Sequence, residues 1–316
     1  MSRLLIRLII VAAVASLPIP LHAQKPGETV EKVSKSFKVG PTGTLDISNM
    51  SGKVTVSEGG TDTIVIDAVK KFRGTGSAKD QFAATTIEMV ERAGRVEVKT
   101  IYTTRNTRVS VDYTVTAPAG TSVFAHSMSG DVKVTNIKGE VRADTISGDV
   151  AAWGTPNATL VKTTSGNATA SGINHQNDLR VSSVSGDVTL TGAKARSLEA
   201  DSISGNVTLT DVTCERATVK SMSGDVTYSG PLLKGGRYQL NAQSGDVKVV
   251  AVGTTAFEVD AGTFSGSITC DFPVTLPAGQ PVGGHGSRKS LRGVVGSGGS
   301  TLSIRAFSGD VAITKK

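Results

Sequence analysis

A Ser-Gly turn recurs ten times along this chain, in most copies followed by Asp or Asn and then by alternating apolar residues. The ten serines are Ser51, Ser129, Ser147, Ser165, Ser185, Ser204, Ser223, Ser244, Ser265 and Ser308. From Ser129 to Ser265 the steps are 18, 18, 20, 19, 19, 21 and 21 residues. A period near 20 is typical of stacked supersecondary units, each too small to bury its apolar face alone. The sequence therefore predicts a stack of repeats.

Apolar and polar residues alternate on both sides of each turn. In the Ser204 repeat, Val207 and Leu209 follow the turn, and Leu198 and Ala200 precede it. Such alternation is typical of strands with one buried face. We therefore predict an all-β protein, a parallel β-solenoid (β-helix-like) with about 20 residues and two short strands per coil. Each strand should pair with its counterpart one coil away, which leaves open edges only at the two ends.

The turn residues themselves have structural roles in this prediction. Glycine adopts positive φ at little cost, the following Asp or Asn can bond nearby amides in an Asx turn, and a small residue two places before each serine suits a tight corner. The residues assigned to turns on this basis are Ser129, Gly130, Asp131, Ser147, Gly148, Asp149, Ser185, Gly186, Asp187, Ser223, Gly224 and Asp225.

Three segments follow from these patterns. Residues 1–23 combine two arginines, an apolar run and a small-residue cleavage site, which predicts a secretory signal peptide. Residues 24–120 are less regular and predict a strand-rich N-terminal cap with degenerate coils, including a short helical or loop segment near 77–84. Residues 121–316 contain the regular coils and a Gly/Ser-rich loop at 279–300.

The runs SMSGDVKV, TISGDVAA, SVSGDVTL, SISGNVTL, SMSGDVTY, AQSGDVKV and AFSGDVAI, behind a signal peptide, resemble a bacterial β-strand-repeat family described as a proposed adhesin domain of unknown function. The similarity covers about residues 33 to 316. The resemblance implies an exported binding protein that attaches to a cell surface. It supplies no catalytic residues.

An apolar row immediately before the serines is the candidate partner-binding site. Its members are Met128, Ile146, Val184, Ile203, Met222, Phe264 and Phe307, interrupted by Thr164 and Gln243. A long apolar stripe on a solvent face marks an interaction surface. Two alternatives remain open at this point, because corner geometry could turn these side chains inward or the N-terminal segment could cover them.

Two polar rows are further candidate binding sites. The Asp and Asn residues after each glycine could bind Ca²⁺, but turn capping is the favoured explanation, because two Asn residues dilute the charge of the row. Outward Thr-x-Thr pairs could dock ice or a polysaccharide lattice, or could reflect the strand preference of threonine. These pairs are Thr169 with Ser171, Thr189 with Thr191, Thr208 with Thr210, and Thr227 with Ser229.

Catalytic and cofactor signatures are lacking in the sequence. His126, His175 and His285 lack metal-ligand spacing, and no nucleophile motif or phosphate loop occurs. We therefore expect no enzyme activity, no cofactor and no metal. Cys214 and Cys270 lie several coils apart, which disfavours a disulfide.

The formal net charge of +7 is mild, and only 4% of residues are aromatic, which disfavours nucleic-acid binding. No segment after the signal peptide is apolar enough to span a membrane. We expect an exported, non-catalytic scaffold, periplasmic or at the cell surface, that binds an envelope protein or surface glycan. The alternatives are a polysaccharide lyase or hydrolase, or a self-assembling envelope filament that grows from the uncapped C-terminal coil, residues 308–316.

Overall fold

The computed structural model describes residues 28–253, 256–276 and 289–316, which contain 25 strands and one short helix. The elements are β1 (Glu28–Lys38), β2 (Thr44–Ser51), β3 (Val54–Glu58), β4 (Thr63–Arg73), α1 (Ala78–Ala83), β5 (Thr85–Arg92), β6 (Arg95–Tyr102), β7 (Val109–Ala117), β8 (Ser122–Ser129), β9 (Val132–Thr135), β10 (Val141–Ser147), β11 (Val150–Trp153), β12 (Ala158–Ser165), β13 (Ala168–Asn174), β14 (Asp178–Ser185), β15 (Val188–Ser204), β16 (Val207–Ser223), β17 (Val226–Gly230), β18 (Arg237–Ser244), β19 (Val247–Ala251), β20 (Phe257–Ser265), β21 (Ile268–Cys270), β22 (Val274–Thr275), β23 (Ser290–Val295), β24 (Ser300–Ser308) and β25 (Val311–Lys315). The all-β prediction is confirmed. The predicted signal peptide lies outside the described residues.

Each repeat places one strand before its Ser-Gly turn and one after it. In the Ser129 repeat, Val123 and Ala125 of β8 and Val132 and Val134 of β9 are all buried. Phe124 and Lys133, which alternate with them, are more accessible. The same alternation continues through the following repeats. One hydrophobic core therefore runs along the whole stack between the two strand rows.

Neighbouring repeats pair side by side in parallel and in register. Strand β10 pairs with β8 and β12, and β11 pairs with β9 and β13. Ser147 aligns with Ser129 on one side and with Ser165 on the other. Equivalent positions of successive repeats consequently form straight rows, with a spacing of about 4.8 Å between paired strands.

Two repeats depart from the expected pair of short strands. Strands β15 and β16 are each 17 residues long, and each joins the second strand of one repeat to the first strand of the next. Tight pairing explains the continuity, because 14 residues of β15 align with partners in β16. The prediction of two separate short strands per coil is therefore wrong for these two repeats.

The spatial order of the repeats differs from their order in the chain at both ends. The Ser51 repeat, β2 and β3, lies between β6 with β7 on one side and β8 with β9 on the other. The Ser308 repeat, β24 and β25, lies between the Ser244 and Ser265 repeats. The expected exposed C-terminal coil is therefore wrong, because residues 300–315 pair on both sides within the stack.

Antiparallel strands cover much of the two stack ends. At the N-terminal end, β5 pairs with β6, β4 pairs with β7, and β1 pairs with β4. Because β6 and β7 pair in parallel with β2 and β3, they act as one degenerate repeat beneath this cap. Helix α1 lies in the segment predicted as helical or loop, and the Ser77 hydroxyl accepts a hydrogen bond from Asp80 N at its start.

At the opposite end, β23 pairs antiparallel with β20 and β22. The predicted loop at 279–300 is thus wrong over Ser290–Val295, which form β23, and Ser300 begins β24. The strand forms because Leu291 and Val295 are buried against the stack. Residues 279–288 of the predicted loop lie outside the described residues.

Hydrogen exchange can test the out-of-order arrangement. We expect the amides of β25 to exchange more slowly than those of β21, because β25 pairs with β19 and β21, whereas the described partner of β21 is β25 alone. Native-state exchange read by mass spectrometry or NMR measures this order. Faster exchange in β25 than in β21 would indicate a stack that follows chain order.

Candidate functional site

The glycines of the turns allow successive repeats to approach closely. Gly205 has a φ of 153°, and a Cβ at this position would lie 2.2 Å from the carbonyl oxygen of Gly186. Gly148 has a φ of 134° and would place a Cβ 2.6 Å from the Gly130 carbonyl. Any larger residue would push the repeats apart, so glycine is required both by conformation and by contact.

The Asp and Asn residues after the glycines bond the neighbouring repeat rather than their own turn. Each Oδ1 accepts a hydrogen bond from the backbone N–H of the equivalent residue in the next repeat. The donor and acceptor pairs are Asp149 to Asp131 (3.2 Å), Asn167 to Asp149 (2.7 Å), Asp187 to Asn167 (2.9 Å), Asn206 to Asp187 (2.8 Å), Asp225 to Asn206 (2.9 Å), Asp246 to Asp225 (2.8 Å), Asp310 to Asp246 (2.7 Å) and Ser267 to Asp310 (2.8 Å). We call this series the Asp/Asn ladder. The expected local Asx turns are corrected to bonds between repeats.

A second ladder uses the small residues two places before the serines. Six hydroxyls donate to the glycine carbonyl of the preceding repeat in the stack, at 2.8–3.0 Å, from Thr145, Thr163, Ser183, Ser202, Ser221 and Thr263. Ala242 and Ala306 occupy this position in two further repeats and contribute no hydroxyl. The small residues therefore do more than fit a corner, because most of them also bind adjacent repeats together.

Other polar groups have local partners in separate regions. His126 Nδ1 lies 2.6 Å from Asp144 Oδ2, and the buried His175 Nε2 lies 2.8 Å from the Ala158 carbonyl. His285 lies outside the described residues. In the part of the chain that the structure describes, no three His, Cys, Asp or Glu side chains are placed to hold a metal ion.

The two cysteines are free. Cys214 is buried, and burial raises the pKa of its thiol to about 12. Cys270 is partly buried, and burial again raises its thiol pKa. A raised pKa disfavours the reactive thiolate at neutral pH.

The structure places all seven residues of the predicted apolar row at the surface. Their exposed fractions range from 37% for Val184 to 66% for Phe264. Neither inward packing nor a covering segment is seen over the described residues. Met50 occupies the same position before Ser51 and is also exposed, although the sequence analysis did not include it. Its offset from the turn was the signal that could have identified it.

The altered repeat order produces an aromatic pair in this row. Phe307 and Phe264 stack with ring centroids 5.0 Å apart and an interplanar angle of 3°. They are neighbours because the Ser308 repeat lies beside the Ser265 repeat. In space the exposed row is therefore Met50, Met128, Ile146, Thr164, Val184, Ile203, Met222, Gln243, Phe307 and Phe264.

A shallow groove of about 730 Å³ runs beside part of the exposed row. Three sets of residues from the Ser204, Ser223, Ser244 and Ser308 repeats line it. The apolar flank contains Ile203, Met222, Gln243 and Phe307, the opposite flank contains Asp201, Lys220, Asn241 and Arg305, and the small side chains Ser202, Ser221, Ala242 and Ala306 lie between them. The small middle side chains are buried, so the groove lies between the two outward rows.

Charges at the groove are largely compensated. The Arg180 guanidinium lies 3.3 Å from both Glu199 Oε2 and Asp201 Oδ1, and Arg305 Nη2 lies 2.8 Å from Asp260 Oδ2. Burial raises the pKa of the Asp201 carboxyl above its ordinary value, against the opposing effect of Arg180. The groove is thus polar along one flank without a strong net charge.

The sequence model of the Toastrack DUF4097 family matches residues 44–314. The chain belongs to the Toastrack DUF4097 family. A search of curated proteins found no match to this Toastrack chain. Among the residues that the structure describes, no helix has the length and apolar character needed to cross a bilayer.

Solved structures similar to this Toastrack protein share little sequence with it. A proposed adhesin of Bacteroides fragilis is 13% identical, with coverage of 90% of this chain and 97% of its own and a TM-score of 0.40. A proposed lipid-binding protein of Parabacteroides distasonis is 8% identical, with coverage of 90% and 96% and a TM-score of 0.41. A proposed adhesin of the same species is 9% identical, with coverage of 90% and 97% and a TM-score of 0.41.

Substitution in the Asp/Asn ladder should show its contribution to stability. Asp225→Ala removes the acceptor of the 2.8 Å bond from Asp246 N and should lower the free energy of unfolding by about 1 kcal/mol. Asp225→Asn keeps an acceptor oxygen and serves as the matched control. Urea unfolding followed by circular dichroism measures both. Equal stability of the two variants would contradict a role for this bond.

Acid should weaken the end of the ladder. Hydrogen bonds from the backbone and side chain of Ser267 lower the pKa of the Asp310 carboxyl. A lowered pKa in the folded state means that the carboxylate stabilises the fold above its ordinary pKa and loses this contribution as pH falls through the lowered value.

We therefore expect Asp310→Asn to reduce the loss of stability between neutral and acidic buffer, because Asn keeps an acceptor oxygen but does not titrate. Urea midpoints at the two pH values give the readout. Asp271→Asn is the control, since within the described residues the Asp271 carboxylate accepts no hydrogen bond. An unchanged acid sensitivity in Asp310→Asn would contradict the assignment.

Proposed function

We propose that this protein is an exported, non-catalytic β-solenoid scaffold that binds an envelope protein or a surface glycan through an exposed sheet face. The observation that carries the proposal is the exposed row, in which eight apolar side chains lie along one line of the stack. Exposed apolar surface of this extent favours a partner that removes it from water. The rigid spacing of the repeats presents that surface already ordered, which lowers the entropic cost of binding.

The predicted signal peptide supports an exported location, in the periplasm or at the cell surface. An extended stack with a continuous core suits a scaffold, because each repeat is held in place by its neighbours. The exposed row is then free to contact a partner. Membership in a family described only as a domain of unknown function is consistent with this proposal and adds no ligand.

Neither alternative gains a specific supporting observation. For a polysaccharide lyase or hydrolase, the outward groups Asp144 and Asp201 lie in different repeats, and their contacts are with His126 and Arg180. A self-assembling filament would need an uncapped C-terminal coil. That coil is internal, and antiparallel strands β5 and β23 pair at the two ends of one strand row.

Binding to isolated bacterial envelopes tests the proposal. The triple variant Val184→Asn, Ile203→Asn and Met222→Asn should lose at least about tenfold in affinity, because it removes apolar area that binding would bury. Sedimentation of labelled protein with envelopes measures the effect.

The matched control is the triple variant Lys194→Asn, Thr213→Asn and Glu215→Asn, which changes surface positions that belong neither to the exposed row nor to the Thr-x-Thr pairs. It should bind as the unaltered protein does. Thermal unfolding establishes that both variants fold. Equal binding by the two variants would overturn the assignment of function to the exposed row.

A further inference from the structure

We propose that the groove beside the exposed row binds an uncharged glycan chain, laid along the stack with about one sugar ring over each repeat. The inference rests on the proposed function, because it names the partner class for that face. It draws on three properties of the groove, namely its spacing, its two chemically different flanks and its balanced charge.

The spacing of the groove suits a chain of pyranose rings. Its lining residues come mainly from four consecutive repeats in the stack, about 4.8 Å apart. A pyranose ring within a linear chain is close to this length, so each ring can lie over one repeat, and in a β-1,4-linked chain the same ring face then meets every second repeat. An extended peptide is out of step, because its side chains on one face recur only every ~6.6–6.8 Å.

The two flanks match the two kinds of surface on a sugar. Ile203, Met222 and Phe307 present apolar groups and an aromatic ring to the C–H face of a pyranose. Across the groove, the side chains of Lys220 and Asn241 make no hydrogen bond or ion pair with any described residue, so they are available to hydroxyl groups. An acyl chain would cover these polar groups without replacing their water contacts, which is unfavourable.

The charge of the groove favours an uncharged chain. Arg180 is shared between Glu199 and Asp201, and Arg305 binds Asp260. Lys220 is left as a single cation without an ion pair among the described residues. An anionic polymer would need a row of unpaired cations at successive repeats, and this groove does not supply one.

Titration with defined oligosaccharides tests the inference. Neutral β-1,4-linked glucose and N-acetylglucosamine oligomers should bind more tightly with each added ring and reach constant affinity at about four rings, because the groove spans four repeats. Their Kd should be insensitive to salt. Calorimetry with the full mature chain measures both properties. Preference for oligouronates, fatty acids or peptides over both neutral series would overturn the proposal.

Two phenylalanine variants locate the site. Phe307→Ala should raise the oligosaccharide Kd at least about tenfold, because Phe307 lines the groove. Phe124→Ala is the control, since Phe124 is a partly exposed phenylalanine of β8 that belongs neither to the groove nor to the exposed row, and should change Kd less than about twofold. Unfolding temperatures establish that both variants fold. Equal effects of the two substitutions would overturn the assignment to this groove.

The outcomes separate this inference from the proposed function. If the exposed-row variant loses envelope binding but neither neutral oligosaccharide series binds the unaltered protein, the glycan inference fails and the proposed function stands. If envelope binding does not depend on the exposed row, the proposed function fails, and the glycan inference that rests on it fails with it. Oligosaccharide binding with the expected length and variant dependence supports the glycan inference.

Discussion

The close contact between glycine turns of adjacent repeats determines the geometry of this protein. A Cβ on most of the turn glycines would lie between 2.1 and 2.6 Å from the backbone of the neighbouring turn. Two hydrogen-bond ladders flank this contact, one through Asp and Asn side chains and one through Ser and Thr hydroxyls. Because the first ladder joins equivalent positions and the second always joins the same two positions of neighbouring repeats, a slip of one residue would break every bond in both ladders at once. Register is therefore held over the whole stack.

The out-of-order repeats show how the chain secures the ends of such a stack. A repeat at the end has a partner on one side only, so its strands can fray or pair with another chain. Here the first and last turn repeats are placed between others, and antiparallel strands follow beyond them. The strands β2 and β24 of these two repeats thus pair with a neighbour on each side. Strand β1 pairs with β4 at the edge of the sheet.

The exposed row, the proposed binding face, is a consequence of this register. Residues that follow one another only after some 20 positions in the sequence lie side by side on the surface, and their apolar groups merge into one row. The groove lies beside it, between two rows of outward side chains that are two residues apart along each strand. The ladders and the exposed row consequently occupy different but neighbouring positions of the same repeats.

Much of this architecture was predictable from the sequence. Strand alternation identified buried residues such as Val207 and Leu209, and the Ser-Gly offsets identified the exposed row, because both depend on local periodicity. Local periodicity carries no information on which repeats become neighbours. The insertion of the Ser308 repeat, the Phe264–Phe307 stack and the groove charges all depend on contacts between distant segments. The sequence by itself determined the strands and which side of each faces inward. The tertiary structure decided their order, because pairing at the stack ends depends on which strand edges still have backbone N–H and C=O groups without partners.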